Sequence, residues 1–387
     1  MKKNIIIAGP IGDFGGRDVE VNIIAKALEQ DYVVTILSLN YMAIDSFALD
    51  GLKNTKWKSI WYELYKKNWL LKSLSLLSKF LNQGCKNAYA YLSNRFSKKW
   101  TNLHQLQWVE IENELEKTDL VILCVQLTTQ FLPEIANYCN KNNIPCLVRT
   151  TGTIGKLSVN SYDFLRKVSL FIHHSETNAL NLNQQIDLPY IVIDQCALAE
   201  KLLLNITSTK IKSYRYGYLG RLSAEKGVLP LATFFTQSQN SLIIAGDGPQ
   251  KSDLLDIMDN HSIFEYLGQL QNKDIVRFFN KIDVLIIPSY EESGPLVGLE
   301  AMAAGKLIVS TKVGAMEERL KELPAFWIDV QRQETLEKVM QTINKLTEAD
   351  YKAMTEAIRK KYVSSYSFNA IKNQYLNTIQ QYIKQCE

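Results

Sequence analysis

Twelve short apolar runs, rich in Val, Ile and Leu and separated by amphipathic stretches, constrain this chain more than any other feature. Continuous apolar runs of four to eight residues suit strands buried on both faces. Such strands occur where helices cover both sides of a parallel sheet. In the first half the strand candidates are Asn4–Gly9, Tyr32–Leu39, Asp119–Gln126, Ile144–Arg149, Val168–His173 and Tyr190–Asp194. In the second half they are Tyr214–Gly220, Ser241–Gly246, Ile263–Gly268, Asp283–Pro288, Lys306–Ser310 and Ala325–Val330. Two such series predict an α/β chain of two Rossmann-like domains. The pattern breaks near Cys196–Ser213, and residues after Arg332 read as helices only, ending in Phe368–Lys384. The expected division is therefore a domain over 1–200, a second over 201–365, and a last helix over 366–387.

With 387 residues, two domains of ordinary size are expected. A hydrophobic content of 46% with 22% charged residues fits a folded soluble protein. No apolar run approaches the ~18–20 residues of a membrane-spanning helix. The opening MKKNIIIAGP has too short an apolar core for a signal peptide, so a cytoplasmic location is expected. Six cysteines occur with no C-x-x-C spacing, which predicts reduced thiols and neither disulfides nor zinc. His173 and His174 are adjacent, and neighbours on a strand point to opposite faces, so they make a poor metal clamp.

Three turns at strand ends carry candidate chemistry. In Pro288–Gly305, PSYEESGPLVGLEAMAAG, a strand ends in a loop holding Glu291 and Glu292. A helix then starts near Gly294 or Pro295 and carries Glu300. Ligands of open α/β sheets bind beyond the carboxyl ends of strands, where a helix N-terminus offers free N–H groups to a phosphate. Carboxylates nearby suit sugar hydroxyls. In Gly220–Gly227, GRLSAEKG, Arg221 and Lys226 bracket a turn and form a pyrophosphate clamp. The third turn, Gly246-Asp247-Gly248-Pro249, lets backbone approach a ligand closely. Taken singly, each pattern is equally an ordinary turn with solvated charges; their order and shared position at strand ends favour the functional reading.

The set GRLSAEKG, AGDGP, EYLGQL and PSYEESGPLVGLEAMAAG resembles the C-terminal half of family 4 retaining glycosyltransferases of the GT-B fold, over about Tyr214 to Leu320. That half reads G-R-x4-K-G, G-x-G-P, a Leu-Gly turn, and an E-x7-E helix followed by A-M-A-x-G. Here Glu292 and Glu300 fit the E-x7-E spacing. The resemblance implies two Rossmann-like domains facing a central cleft and transfer of a sugar, with retention, from a nucleotide diphosphate sugar. It implies Arg221, Lys226 and Glu292 as catalytic residues, with Arg221 and Lys226 on the diphosphate and Glu292 on the transferred sugar. Glu300 would hold the ribose, the amides of Leu296 and Val297 would face the phosphates, and Leu270 would lie near the base. Gly246, Gly248 and Gly294 would complete the donor site. No metal or other cofactor is expected, because the cations stabilise the leaving group.

The first half matches less closely. Gly15 and Gly16 stand where the family has a paired glycine before a helix on the acceptor side, although the same loop fits a plain βα turn. It is no dinucleotide fingerprint: the spacing departs from G-x-G-x-x-G, and Ser38-Leu39-Asn40 offers no acid for a ribose. Where the family often has His, this chain has Arg149-Thr150-Thr151-Gly152, which makes Arg149 or a threonine hydroxyl the acceptor-side candidate. Ile193-Asp194-Gln195-Cys196 replaces the usual Asn-Gly turn.

The net charge of +4 is unevenly spread, with +10 between Lys53 and Trp100 and −6 elsewhere. That segment, read as an insertion, holds Trp57, Trp61, Trp69 and Trp100. From Trp57 to Leu71 a helical stripe runs through Ile60, Trp61, Leu64 and Leu71, interrupted at Asn68, with Lys56, Lys58, Lys66 and Lys67 off it. A helix lying on an anionic membrane fits this pattern; a helix packed on the domain and nucleic-acid binding are the alternatives, and no nucleic acid is expected. The expected partners are thus a nucleotide sugar, a membrane surface and a lipid-linked acceptor, with the protein peripheral on the inner face of the membrane. A non-catalytic binding subunit, an epimerase or a phosphorylase of the same fold are the rival readings.

Overall fold

The computed structural model describes residues 2–12, 15–152, 154–157, 162–207, 213–259 and 261–384. Asp13 and Phe14 of the glycine loop, Ser208 and Thr209 of the expected linker, and Cys386 lie outside the described residues. The chain divides into two compact units. The first comprises Met1–His173, Ala179–Ile193 and Lys372–Glu387, and the second His174–Asn178 and Asp194–Ile371. The main division thus falls at Ile193/Asp194, ahead of the expected residue 200, and a five-residue piece of the second unit lies before it.

The first unit opens with β1 (Asn4–Gly9), α1 (Gly16–Leu28), β2 (Val33–Ser38) and β3 (Lys56–Ser59). Four helices follow: α2 (Ile60–Lys67), α3 (Trp69–Leu81), α4 (Arg95–Trp100) and α5 (Leu103–Leu115). Then come β4 (Leu120–Val125), α6 (Leu132–Lys141), β5 (Cys146–Thr150), α7 (Tyr162–Leu165), β6 (Leu170–His173), α8 (Glu176–Asn183) and β7 (Tyr190–Val192). The strands form one parallel sheet in the order β3-β2-β1-β4-β5-β6-β7. Strand β4, LVILCV, is buried at every position, as a central parallel strand requires.

The second unit contains α9 (Glu200–Leu204), β8 (Tyr216–Leu219), α10 (Val228–Phe235), β9 (Leu242–Ala245), α11 (Lys251–Met258) and β10 (Phe264–Tyr266). It continues through α12 (Ile275–Lys281), β11 (Val284–Ile287), α13 (Leu296–Ala304), β12 (Leu307–Ser310), α14 (Met316–Arg319) and β13 (Phe326–Trp327). Helices α15 (Gln333–Asn344), α16 (Glu348–Ser365) and α17 (Phe368–Lys384) end it, and α17 runs on into the first unit. Its six parallel strands are ordered β10-β9-β8-β11-β12-β13. Each unit has its own apolar core.

Every one of the twelve apolar runs forms a strand. The thirteenth strand, β3, corrects the reading of Trp57–Leu71, within the Lys53–Trp100 segment, as one helix. Lys56-Trp57-Lys58-Ser59 pairs with β2 at the sheet edge, so Trp57 lies on a strand. Ser59 then caps α2 by accepting from the Tyr62 N–H, and Asn68 caps α3 by accepting from Leu70 and Leu71. The residue that interrupts the apolar stripe therefore starts a second helix. Ile60, Leu64 and Leu71 pack into the core of the first unit, so the sequence stripe is a packing face. Lys58 and Lys67 are engaged by Glu114 and Glu110 at 2.8 and 2.6 Å.

Candidate active site

The site is built where four loops of the second unit meet beyond the carboxyl ends of β8, β9, β11 and β12. After β8, the Tyr218 hydroxyl donates to the Arg221 carbonyl at 2.7 Å and pins the Gly220–Gly227 loop. The Gly246–Pro249 turn presses directly on that loop. A Cβ at Gly246, whose φ is +144°, would lie 1.8 Å from the Gly220 carbonyl oxygen, and one at Gly248 would lie 2.4 Å from that of Leu222. The glycines of AGDGP are thus explained by loop-on-loop packing. The Tyr290 N–H donates to the Glu225 carbonyl at 2.8 Å and joins the β11 loop to the β8 loop. The Thr311 hydroxyl donates to the Ser289 carbonyl at 2.7 Å and joins β12 to the same place.

Within this frame the expected side chains converge. Lys226 Nζ lies 2.5 Å from Glu292 Oε1, both only partly exposed, and Ser289 Oγ donates to the same carboxylate oxygen at 3.3 Å. Arg221 is exposed on the same loop. Helix α13 begins at Leu296, with Pro295 as its N-cap in an extended conformation, one residue later than expected for a helical proline. No side chain caps this end, which leaves the first-turn amides of Leu296 and Val297 for another acceptor. Glu300, one turn further, is buried, and burial pushes its carboxyl up to about 7. Leu270 is partly buried and packs on the second core.

Sequence reasoning missed the support beneath this helix. Arg319 is fully buried and donates from Nε and Nη2 to the Asp194 carboxylate at 2.8 and 2.7 Å. Its Nη1 donates to the Pro295 carbonyl at 2.6 Å, so a buried bidentate pair holds the N-cap of α13. At the other end, Arg359 donates to the carbonyls of Ala303 and Ala304 at 3.1 and 2.7 Å. Asp194 stands in the segment where the sequence departs from the Asn-Gly turn, the one signal that could have found it.

The acceptor-side expectations fare differently. The Gly15 N–H donates to Asp18 Oδ2 and the Gly12 N–H to Asp18 Oδ1, both at 2.8 Å, ordering the start of α1; Gly15 and Gly16 are exposed. Arg149 has no exposed surface. Its Nε lies 3.0 Å from Glu20 Oε1 and its Nη1 donates to the Ile193 carbonyl. A guanidinium so enclosed is part of the first unit's interior, which corrects its reading as a group facing an acceptor. The Thr150 hydroxyl is likewise buried, 2.8 Å from His173 Nδ1, and burial lowers the pKa of that imidazole to about 4.

The family match falls within the second unit, which holds this geometry. Residues 205–361 match the sequence model of the family "Glycosyl transferases group 1". A putative teichuronic acid biosynthesis glycosyltransferase, TuaC, of Bacillus subtilis is 34% identical over 101 residues, covering 26% of this chain and 25% of that protein. A GDP-mannose-dependent alpha-mannosyltransferase of Corynebacterium glutamicum is 30% identical over 106 residues, 27% of this chain and 25% of its own length. The matched stretches thus span about a quarter of these curated relatives. Solved structures cover nearly the whole chain. A glycosyltransferase from Rickettsia africae superposes with a TM-score of 0.73 at 15% identity, covering 99% of both chains. Anabaena HepE in complex with UDP and glucose gives 0.71 at 16%, covering 98% of this chain and 99% of its own. The fold is that of the GT-B glycosyltransferases. The second unit carries a glycosyl transferases group 1 domain.

Proposed function

We propose that the protein transfers a sugar from a nucleotide diphosphate sugar, held by the second unit, to an acceptor held by the first. The observation that carries this reading is the Lys226–Glu292 pair, set beside the uncapped start of α13 with the buried Glu300 behind it. A diphosphate would take Lys226, Arg221 and the amides of Leu296 and Val297. The sugar hydroxyls would then take Glu292, and the ribose hydroxyls Glu300. The leaving diphosphate is stabilised by these fixed positive groups, so the reaction needs no metal ion. Retention of configuration and a role in polysaccharide biosynthesis are supported by the resemblance to family 4 enzymes and by relatives such as TuaC. Thermal shift of the full chain against UDP-, GDP- and ADP-sugars tests the donor; a ligand at 100 times its Kd should stabilise by about 2.7 kcal/mol. Arg221→Ala and Lys226→Ala should each weaken that shift and slow donor hydrolysis tens-fold or more. No shift with any nucleotide sugar, or single variants that behave as wild type, would overturn the proposal. Turnover should also survive EDTA, and loss with rescue by manganese would refute metal independence.

A membrane-linked acceptor is supported by an exposed apolar row in the first unit. On α3, Leu71, Leu74, Ser75 and Ser78 face inward, while Trp69, Leu76, Leu77, Phe80 and Leu81 are exposed, Trp69 and Phe80 at 78% and 80%. A helix apolar on both faces, within the segment of +10 charge, suits a peripheral position on an anionic cytoplasmic leaflet with a lipid-linked acceptor. No helix among the described residues is long and apolar enough to cross a membrane.

A further inference from the structure

The first sheet reverses its strand order between β1 and β4, because β2 lies on one side of β1 and β4 on the other. Ligands of open parallel sheets bind at such a point, beyond the carboxyl ends of the strands. A cavity of about 260 Å³ lies there, wholly within the first unit, lined by Arg17, Asn40, Gln126, Thr128, Thr129 and Gln130 among others. Among the described residues, Arg17 is its only charged lining group. The guanidinium is partly buried, and its Nη1 donates to the Pro10 carbonyl at 3.1 Å while Nε and Nη2 reach the Thr151 hydroxyl at 3.4 Å. Among the described residues no carboxylate hydrogen-bonds it: the neighbouring Asp18 is engaged by the N–H groups of Gly12 and Gly15. Burial pulls the pKa of Arg17 below its usual value, outweighing the nearby Asp18 carboxylate, which acts in the other direction. A guanidinium has five N–H donors, so two of them remain for a ligand. The other polar groups are amides and hydroxyls, which suit sugar hydroxyls or anionic oxygens.

We propose that this cavity binds an anionic group, a phosphate or a carboxylate, carried by the acceptor, with Arg17 as the group that recognises its charge. The proposal rests on the reading of the first unit as the acceptor side. A volume below the roughly 300 Å³ at which drug-sized pockets begin suits one charged sugar-sized unit. It also supplies the acceptor-side cation that Arg149, enclosed with Glu20, does not.

The test is calorimetric titration of the full chain carrying Arg221→Ala with Lys226→Ala, so that the donor-side cations are gone. The probes are inorganic phosphate and glucose 6-phosphate, glucuronate, and neutral glucose. Saturable binding of at least one anionic probe is expected, tenfold or more tighter than glucose; the phosphate and glucuronate arms tell which anion is preferred. Arg17→Gln should weaken it by about tenfold or more, since hydrogen bonds to charged groups contribute about 1.5–3 kcal/mol. Arg17→Lys should restore part of it. Thr128→Glu, at an exposed lining position, should abolish anion binding while the thermal transition stays in place. Equal binding of glucose and the anions, or undiminished anion binding in Arg17→Gln and Thr128→Glu, would overturn the proposal. Binding of UDP, GDP and ADP is measured separately on wild type and on Arg17→Gln, and Arg17→Gln should leave it unchanged. A wild type that binds anions through Arg17 but no nucleotide would remove the transferase reading and leave this site standing.

Discussion

Glu300 shows how function can be read from a single ionisable group. Its carboxyl is buried, and burial alone raises its pKa to about 7. The folded value lies above the unfolded one near 4.5, so the group favours the folded state only while protonated. Its contribution is full below about pH 4.5 and is lost as pH rises to about 7, a swing of about 3 kcal/mol. Glu300→Gln should therefore raise stability at pH 8 and change little at pH 4, read as denaturant midpoints at the two values. A donor that hydrogen-bonds the carboxylate binds its ionised form. Nucleotide affinity should then climb as pH rises through 7 in wild type, with proton release on binding, and should be weaker and flat with pH in Glu300→Gln. A pH-flat wild type would show that Glu300 makes no contact with the ligand. The resemblance to the E-x7-E pattern singled out this residue and Glu292; their environments, one carboxyl buried and the other paired with Lys226, were not visible in the sequence.

Helix α13 is fixed at both ends by arginines, Arg319 at Pro295 and Arg359 at Ala303 and Ala304. Asp194→Asn would leave Arg319 buried without its counter-charge, which typically costs about 3–5 kcal/mol. Arg319→Met in turn leaves the buried Asp194 carboxylate without its counter-charge, a cost of the same order, and it also frees the Pro295 carbonyl and loosens the helix start. Nucleotide affinity should fall in both variants, while anion binding in the first unit should persist. If Arg319→Met binds nucleotide as wild type does, the clamp serves stability alone. The strands were legible because central parallel strands are continuous apolar runs. Strand β3 was not, because an edge strand reading Lys-Trp-Lys-Ser carries no such run. The clamp was hidden for another reason: Asp194 and Arg319 are 125 residues apart, and local pattern holds no record of such a pair. Helix α3 likewise shows in sequence only as apolar residues, and the structure separates the buried set from the exposed one. Wild type should co-sediment with anionic vesicles and less so with neutral ones, with a fraction resistant to salt. Trp69→Ser with Phe80→Ser should remove that fraction, whereas Trp57→Ala on β3 should not. Equal sedimentation of the double variant and wild type would rule out α3 as the membrane face.

Two separate cores imply two cooperative transitions in the whole molecule, each answering to different residues. The second core holds the strands that carry the loops of Lys226 and Glu292, and the first holds the strands around the Arg17 cavity. The C-terminal helix belongs to the first through chemistry distant in sequence: the Tyr375 hydroxyl donates to Glu20 Oε1 at 3.0 Å, and Glu20 pairs with Arg149. All three are buried, and burial drives the Tyr375 phenol well above its usual pKa, so it stays neutral and acts as a donor. Glu20→Gln would strand the Arg149 charge at a cost of about 3–5 kcal/mol. In a unit of this size each kcal/mol moves a transition by about 2–4 °C, so the shift should be on the order of 10 °C. Tyr375→Phe removes only one hydrogen bond, about 1 kcal/mol, and should move the same transition by a few degrees. Differential scanning calorimetry of the full chain reads all of this. Glu20→Gln should lower one transition and leave the other; a nucleotide sugar should raise the one that Glu20→Gln spares; inorganic phosphate, in the Arg221→Ala, Lys226→Ala background, should raise the one it lowers. A single transition that every ligand and variant moves together would mean that the two cores unfold as one cooperative body.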